Sequence, residues 1–297
     1  MTSAPAHTIL NCPACGSNAN RSVFDYRDTH PIHECSDCGT QFCRRRFSGE
    51  ELESFYSGEY FQGEFGYKNY AALEAIKRRT FASRLERLEA ECPARGRLLD
   101  VGCANGLLVR TALDRGWDAH GIDISRFATD EATRDHPELI GRVHVAVLEN
   151  SGHAPESFDA LVLSDMIEHV HDPIEATRQA LKLLKPGGRL FVETPNLAGM
   201  MRRVMGAGWP MYRPPEHLVY FTPSSLKAML EREGFTEIVR RSSWKALTWN
   251  YVMDKLVVTF PRLVAVLKPL GKPIGDLCVW IPAGSFWSIS VKKNDAK

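Results

Sequence analysis

Four cysteines stand in two short repeats, Cys12-Pro-Ala-Cys15-Gly16 and Cys35-Ser-Asp-Cys38-Gly39, nineteen residues apart. A C-x-x-C turn brings two thiolates to one side of a tight loop, and a following glycine lets the backbone turn beneath them. Two such loops complete a tetrahedral four-sulfur shell. The spacing therefore predicts a structural Zn2+ held by Cys12, Cys15, Cys35 and Cys38, in a domain small enough to need a metal in place of a large core. A redox dithiol is the competing use of such a pair, and two matched pairs in a short ribbon speak against it. Cys43 has no partner at this spacing and stays outside the set. The run Arg44-Arg45-Arg46 reads as a solvated face rather than a phosphate contact.

The second constellation is Leu98-Leu99-Asp100-Val101-Gly102-Cys103-Ala104-Asn105-Gly106, a strand running into a turn. This D-x-G-x-A-x-G pattern is not the G-x-G-x-x-G dinucleotide fingerprint. Gly102 and Gly106 allow a sharp turn and a close backbone approach to a ligand, and a helix beginning near Asn105 aims its amides at a carboxylate. Ala104 is expected at negative φ, narrowing the loop. Asp123 lies 21 residues beyond Gly102 at the tip of the next strand, where an acid can accept both hydroxyls of a ribose.

The elements that must position these groups are read from periodicity. Apolar residues Leu73, Ile76, Phe81, Leu85 and Leu88 recur at helical intervals from Tyr70 to Ala90. From Arg97 onward, short β-branched or leucine-rich runs alternate with helical patterns, which predicts repeated βαβ units. The expected strands are 97–101, 119–123, 143–147, 160–163, 189–193, 236–242 and 286–292. The fold class is thus α/β, a Rossmann-like, mostly parallel sheet of seven strands behind a small N-terminal zinc ribbon. Ser48 and Glu51 form the pattern of a capping box between the two.

Composition agrees with a globular chain: 297 residues, 44% hydrophobic and 25% charged. Its 37 basic against 36 acidic residues leave a net charge of +1, so nucleic acid is not the expected partner. The N-terminus carries no secretory pattern and no run of 18 apolar residues occurs. A cytoplasmic enzyme is expected, its eight cysteines serving as metal ligands, buried thiols or catalytic groups and not as disulfides.

The glycine loop and Asp123, followed by Glu156-Ser157-Phe158-Asp159-Ala160-Leu161-Val162-Leu163-Ser164-Asp165, Leu184-Lys185-Pro186-Gly187-Gly188 and Glu193-Thr194-Pro195-Asn196, resemble the class I S-adenosylmethionine-dependent methyltransferases of the small-molecule type. The likeness covers about two thirds of the chain. It implies a cofactor site in which Asp100, Gly102, Cys103, Ala104 and Gly106 lie against the methionine part and Asp123 binds the ribose. Ile124 with Val147 and Leu148 would sandwich the adenine, and Ser164 with Asp165 would face the amino and methyl end.

Methyl transfer from a sulfonium is an in-line displacement that depends on holding nucleophile and methyl in a dry pocket. His169, His171 and His217 are the candidate bases. His217 lies in an insertion that in the resembling enzymes roofs the acceptor, and Trp209, Tyr212, His217 and Tyr220 are expected there as substrate contacts. A structural histidine tying the insertion to the sheet is the alternative. Asp165, Glu168 and His169 share one helical face. They could ligate a divalent metal, as in similar quinone-pathway O-methyltransferases, and the reading adopted is that they cap the turn and hold the cofactor amino group.

The expected division is a zinc ribbon over 1–47, an aromatic helical connector over 48–92 covering the cofactor site, and a methyltransferase domain over 93–297 with acceptor-side insertions at about 197–222 and 246–283. The stretch 247–280 reads as a pocket wall, or as a surface meeting a membrane or a lipid-like acceptor. The expected function is methyl transfer to oxygen or carbon of a sugar, polyketide, quinone or lipid-like compound. Alternatives are a zinc-ribbon ribosomal RNA guanine methyltransferase and a non-catalytic S-adenosylmethionine-binding adaptor.

Overall fold

The computed structural model describes residues 9–48, 51, 55, 70–250, 253, 264–266, 269 and 278–293. Most of the aromatic connector before Tyr70, and most of the stretch 247–280 expected as a pocket wall, lie outside the described residues.

In chain order the ribbon supplies β1 (Asn20–Tyr26), β2 (His30–Cys35) and β3 (Gln41–Cys43), and a long helix α1 (Tyr70–Glu91) comes next. Then come β4 (Arg97–Val101), α2 (Leu107–Asp114), β5 (Asp118–Asp123), α3 (Arg126–Asp135), β6 (Val143–Val145) and β7 (Phe158–Ser164). The chain ends with α4 (Pro173–Leu183), β8 (Leu184–Pro195), α5 (Met200–Met205), β9 (Val219–Tyr220), α6 (Pro223–Arg232), β10 (Phe235–Thr248) and β11 (Cys278–Lys292).

All seven expected strands form one sheet, in the order β10-β11-β8-β7-β4-β5-β6. The strands β6, β5, β4, β7 and β8 run parallel, whereas β11 is antiparallel to both β8 and β10. Apolar runs in the central strands are buried on both faces, as a helix-covered parallel sheet requires. Leu98, Val162 and Phe191 pack against Leu85 and Leu88 of α1 and Leu108 and Ala112 of α2. On the other face Leu99, Leu161 and Val192 meet Ala176 and Ala180 of α4 and Leu226 of α6.

Two features shape the open end of the sheet. The pairing of β8 with β11 stops at Pro195 and Ser285, but β10 and β11 stay paired as far as Thr248 and Cys278. Their hairpin therefore overhangs the strand tips, and the Ala246 amide donates to Thr80 Oγ1 on α1 at 3.0 Å. The second feature is that the ribbon is not a detached appendage. Its sheet has the order β1-β2-β3-β9, so the fourth strand comes from the insertion before α6. Ser48 and Glu51 make the reciprocal bonds of the expected capping box, at 2.8 and 3.1 Å. Among the described residues no helix is long and apolar enough to cross a membrane.

Candidate active site

The glycine loop leaves β4 in a left-handed succession: Gly102, Ala104 and Gly106 have φ of 78°, 48° and 72°. Ala104 thus departs from the negative φ expected of it. A left-handed alanine costs about 1 to 2 kcal/mol, and the structure holds it there because its amide donates to Asp123 Oδ2 at 2.8 Å. Glycine is demanded at 106, since a Cβ there would approach Leu139 Cδ1 to 2.5 Å. Gly106 also N-caps α2 without a side-chain cap, leaving the first amides of that helix to a ligand. These residues form a cleft whose lining includes Phe81, Asp100, Gly102, Ala104, Asn105 and Ser164.

Asp123 ends β5 and binds two loops at once, its other oxygen accepting from the Ser125 amide at 2.8 Å. Burial raises its pKa against the pull of those two amides, and each oxygen keeps a lone pair for a ribose hydroxyl. The Ala146 amide donates to the Asp123 carbonyl, which sets the neighbouring strand tips side by side. There Ile124 is 48% and Val147 39% exposed, whereas Leu148 is buried. Two accessible apolar side chains flanking this carboxylate suit a flat, apolar group. Asp100 stands behind the loop, and burial together with the Asp123 charge pushes its pKa up to about 7.

Beyond Ser164 the chain turns at Asp165, whose φ of 53° is again left-handed. Its carboxylate does not join Glu168 and His169. It accepts from Arg84 Nη2 at 3.0 Å and from Lys245 Nζ at 3.1 Å. Burial works against its ionisation, yet Lys245 and Arg84 hold its pKa well below the usual carboxylate range. Arg84 comes from α1 and is buried, and its other bonds are a bidentate grip on Glu193 at 2.8 and 2.7 Å. Glu168 and His169 instead approach His217, with one ligand atom from each within 4.8 Å of the others. A divalent ion among Asp165, Glu168 and His169 therefore does not fit this arrangement, because Asp165 is already claimed by two cations.

His217 occupies a different position from an open acceptor site. It is buried, its Nδ1 donates to the Met211 carbonyl at 2.8 Å, and its Nε2 accepts from Arg213 at 3.1 Å. Both ring nitrogens are thus engaged by residues of the insertion itself. The aromatics beside it, Trp209, Tyr212 and Tyr220, are buried and packed on one another. Tyr212 OH donates to Gln41 of the ribbon and Tyr220 OH donates to the His217 carbonyl at 2.8 Å.

A family profile described as a methyltransferase domain matches residues 73–239, a span that contains both the glycine loop and the turn at Asp165. The chain belongs to that family. It is an S-adenosylmethionine-dependent methyltransferase. Among its relatives, the ubiquinone biosynthesis O-methyltransferase of Xanthomonas axonopodis pv. citri is 31% identical, over 63% of this chain and 81% of that one. The enzyme of the same name from Idiomarina loihiensis is 28% identical, over 58% of this chain and 75% of its own length. In fold the methyltransferase resembles a SAM-dependent methyltransferase of Thermotoga maritima, with a TM-score of 0.55 at 17% identity, covering 79% of this chain and 98% of the other. A phosphoethanolamine N-methyltransferase of Haemonchus contortus superposes with a TM-score of 0.54 at 17% identity, covering 92% and 72%.

In the ribbon of this methyltransferase the four expected cysteines converge. Cys12 and Cys38 sulfurs lie 3.6 Å apart and those of Cys15 and Cys35 3.5 Å apart, all four within 4.8 Å. A Zn–S bond of about 2.3 Å gives a tetrahedron with an edge of about 3.8 Å, whereas a disulfide needs about 2.05 Å. The cluster fits a tetrahedral metal and not a disulfide.

Histidine burial gives the methyltransferase a defined pH response. Burial and then Arg213 push His169 down to about 4, and burial and Arg46 do the same to His171. A depressed folded pKa means that the unfolded chain binds more protons below about 6.5, so this stability is lost as pH falls from there toward 4. Glu168 has the opposite sign: burial, then the Asp165 charge, raises it to about 8. Its contribution is lost as pH rises toward 8. The melting temperature is expected to peak near pH 6.5 and to decline on both sides, and Glu168→Gln should flatten the alkaline side. Thermal scans from pH 4.5 to 8.5 on both proteins check this, and an unchanged alkaline slope in the variant counts against the assignment.

The sequence did not point to Arg84, Glu193 or Lys245 as site residues. One signal for Arg84 was present, a charged residue at the spacing of the buried stripe that runs through Thr80, Leu85 and Leu88. Lys245 carried none, because its role depends on how far the β10–β11 hairpin overhangs.

Proposed function

We propose that this methyltransferase moves the sulfonium methyl of S-adenosylmethionine to a hydroxyl oxygen of a small aromatic acceptor of the quinone-precursor kind. The carbon–sulfur bond breaks with its electrons left on sulfur, a carbon–oxygen bond forms, and the hydroxyl proton leaves to solvent or buffer. The observation that carries the reading is the likeness to relatives named for O-methylation, spread over a majority of the chain. In this reading Gly102 to Gly106 and the uncapped α2 amides hold the methionine end, Asp123 the ribose, and Ile124, Val147 and Leu148 the adenine. Ser164 and Asp165 border the methyl. The acceptor enters the space that α1, the tips of β7 and β8 and the β10–β11 overhang surround. His217, Trp209, Tyr212 and Tyr220 fix the insertion to the ribbon instead of touching the acceptor, and Cys12, Cys15, Cys35 and Cys38 hold one structural Zn2+. The ribbon over 1–47 braces the acceptor side of the methyltransferase domain over 93–297, and 48–92 connects the two. We place the protein in the cytoplasm, where paired C-x-x-C cysteines serve as metal ligands.

Incubation with S-adenosylmethionine and a catechol should yield the methyl ether and S-adenosylhomocysteine. Asp123→Ala should weaken binding of both cofactor forms by about tenfold to a hundredfold, since charge-assisted hydrogen bonds to the ribose are worth about 1.5 to 3 kcal/mol. Calorimetry measures it, and an unchanged dissociation constant would place the ribose elsewhere.

A further inference from the structure

The ion-pair network behind the cleft has a closed end and an open end. Arg84 and Glu193 are buried and locked to each other by two bonds. The open end is the pair Lys245 and Asp165, with side chains 31% and 37% exposed and Nζ at 3.1 and 3.3 Å from the two carboxylate oxygens. Both stand on the rim of the cleft. Asp165 follows Ser164, which lines it, and the Ala246 amide, next to Lys245, donates to Thr80 Oγ1, next to the lining residue Phe81. Lys245 is thus held between the strand-tip wall and the α1 wall, at the end where the methyl is placed. The overhang carries it there: Lys245 pairs with Ile281, past Ser285, where β11 has left β8. An ammonium has three N–H donors. With one on each oxygen of Asp165, and Glu193 at 3.9 Å too far for a hydrogen bond, a third remains for a ligand. A phenolic hydroxyl ionises near pH 10 in water, so little of it is the nucleophilic oxyanion at neutral pH. A positive charge within hydrogen-bond reach shifts that balance toward the anion.

We propose that Lys245 is the catalytic residue on the acceptor side: its third N–H donates to the acceptor hydroxyl oxygen and stabilises it as the oxyanion that attacks the methyl. The hydroxyl proton passes to water at the open rim. An oxygen lone pair forms the bond to the methyl carbon, and the carbon–sulfur electron pair stays on sulfur. Asp165 fixes the lysine in place and, held ionised by Lys245 and Arg84, is too weak a base to take the proton itself. The inference rests on the proposed acceptor class and deepens it by naming the residue that activates the hydroxyl.

The probe is 4-nitrocatechol, whose visible absorption changes when its hydroxyl ionises, bound to protein saturated with S-adenosylhomocysteine. On the wild type its ionisation should fall by about one unit or more from the free compound's. Lys245→Met should return it to the free value or above with S-adenosylhomocysteine affinity unchanged, and Lys245→Arg should keep it lowered. Turnover gives a second readout, because 4-nitrocatechol ionises near neutral pH without help and catechol does not. Lys245→Met should lower kcat about a hundredfold on catechol but about tenfold at most on 4-nitrocatechol. A structural lysine would lower both alike. No lowering in the wild type, the same ionisation on wild type and Lys245→Met, or equal losses on the two acceptors overturns the proposal. Lys245→Gln is measured beside Lys245→Met, and loss of S-adenosylhomocysteine binding in both assigns the lysine to the cofactor or the fold and overturns it as well. A wild type that binds S-adenosylhomocysteine but neither binds nor methylates either catechol instead strikes the acceptor reading on which the inference stands.

Discussion

Cys35→Ser is expected to release the zinc and to loosen far more of the protein than the ribbon alone. A structural Zn2+ in a peptide of this type contributes about 10 to 16 kcal/mol of apparent binding free energy, and that energy is folding energy. Three sulfurs and a hydroxyl cannot replace the four-thiolate shell. The reach of the damage is set by contacts outside the cluster. The Cys43 amide donates to the Leu218 carbonyl, and the amides of Leu218 and Val219 both donate to the Glu168 carbonyl. Gln41 and Phe42 pair with Tyr220 and Val219, and Arg232 of α6 donates to the carbonyls of Ala14 and Cys15 at 2.8 and 3.0 Å. The ribbon therefore clamps the strand that in turn holds the turn after β7, four residues past Ser164. Metal analysis should find about one zinc per wild-type chain and close to none in the variant. Hydrogen exchange should accelerate in 9–48 and in 218–220, with β4, β5 and β7 still protected, and transfer activity should fall with it. Full zinc retention by Cys35→Ser rejects the ligand assignment. Loss of zinc with 218–220 still protected rejects the clamp.

Residue patterns announced the sheet because each central strand is an apolar run bounded by turn residues, and a parallel sheet covered on both faces has no other way to look. Leu98-Leu99 and Ala160-Leu161-Val162-Leu163 are cases in which local pattern and tertiary burial coincide. The same holds for the cysteines and for Asp123, whose spacing in sequence sets the four sulfurs together and the carboxylate at a strand tip beside the glycine loop. Legibility broke down where a side chain had two possible partners at long range. An aromatic in an insertion looks the same whether it faces an acceptor or a neighbouring domain. Tyr212 met Gln41, 171 residues away, and no local pattern carries that information. Ala104 illustrates a subtler limit. Its small side chain gives no sign of a left-handed φ, which appears only together with the amide's bond to the Asp123 carboxylate.

Arg84→Met is expected to destabilise the protein by about 3 to 5 kcal/mol, the cost of stranding a buried carboxylate whose partner has been removed. Glu193 is 0% exposed, and after the change its remaining partners would be the Ser243 hydroxyl at 2.8 Å and Lys245 at 3.9 Å. Neither replaces two charge-assisted bonds in a parallel fork. Arg84→Lys should recover little, because a single ammonium cannot reach both oxygens of Glu193 and Asp165 at once. The consequences extend to the site. Arg84 is the buried link between α1, which bears Phe81, and the tips of β7 and β8, so its removal frees the helix that walls the cleft and deprives Asp165 of its guanidinium partner. Cofactor affinity should fall along with stability in denaturant titrations. The decisive measurement is the double variant Arg84→Met with Glu193→Gln. With no buried charge left unpaired, it should be markedly more stable than Arg84→Met alone, with a coupling of about 2 kcal/mol or more between the sites. If the two changes instead add, the loss comes from packing of the arginine stem against Phe81, whose ring lies 5.2 Å from the guanidinium carbon, and the ion pair is not what holds α1 over the cofactor.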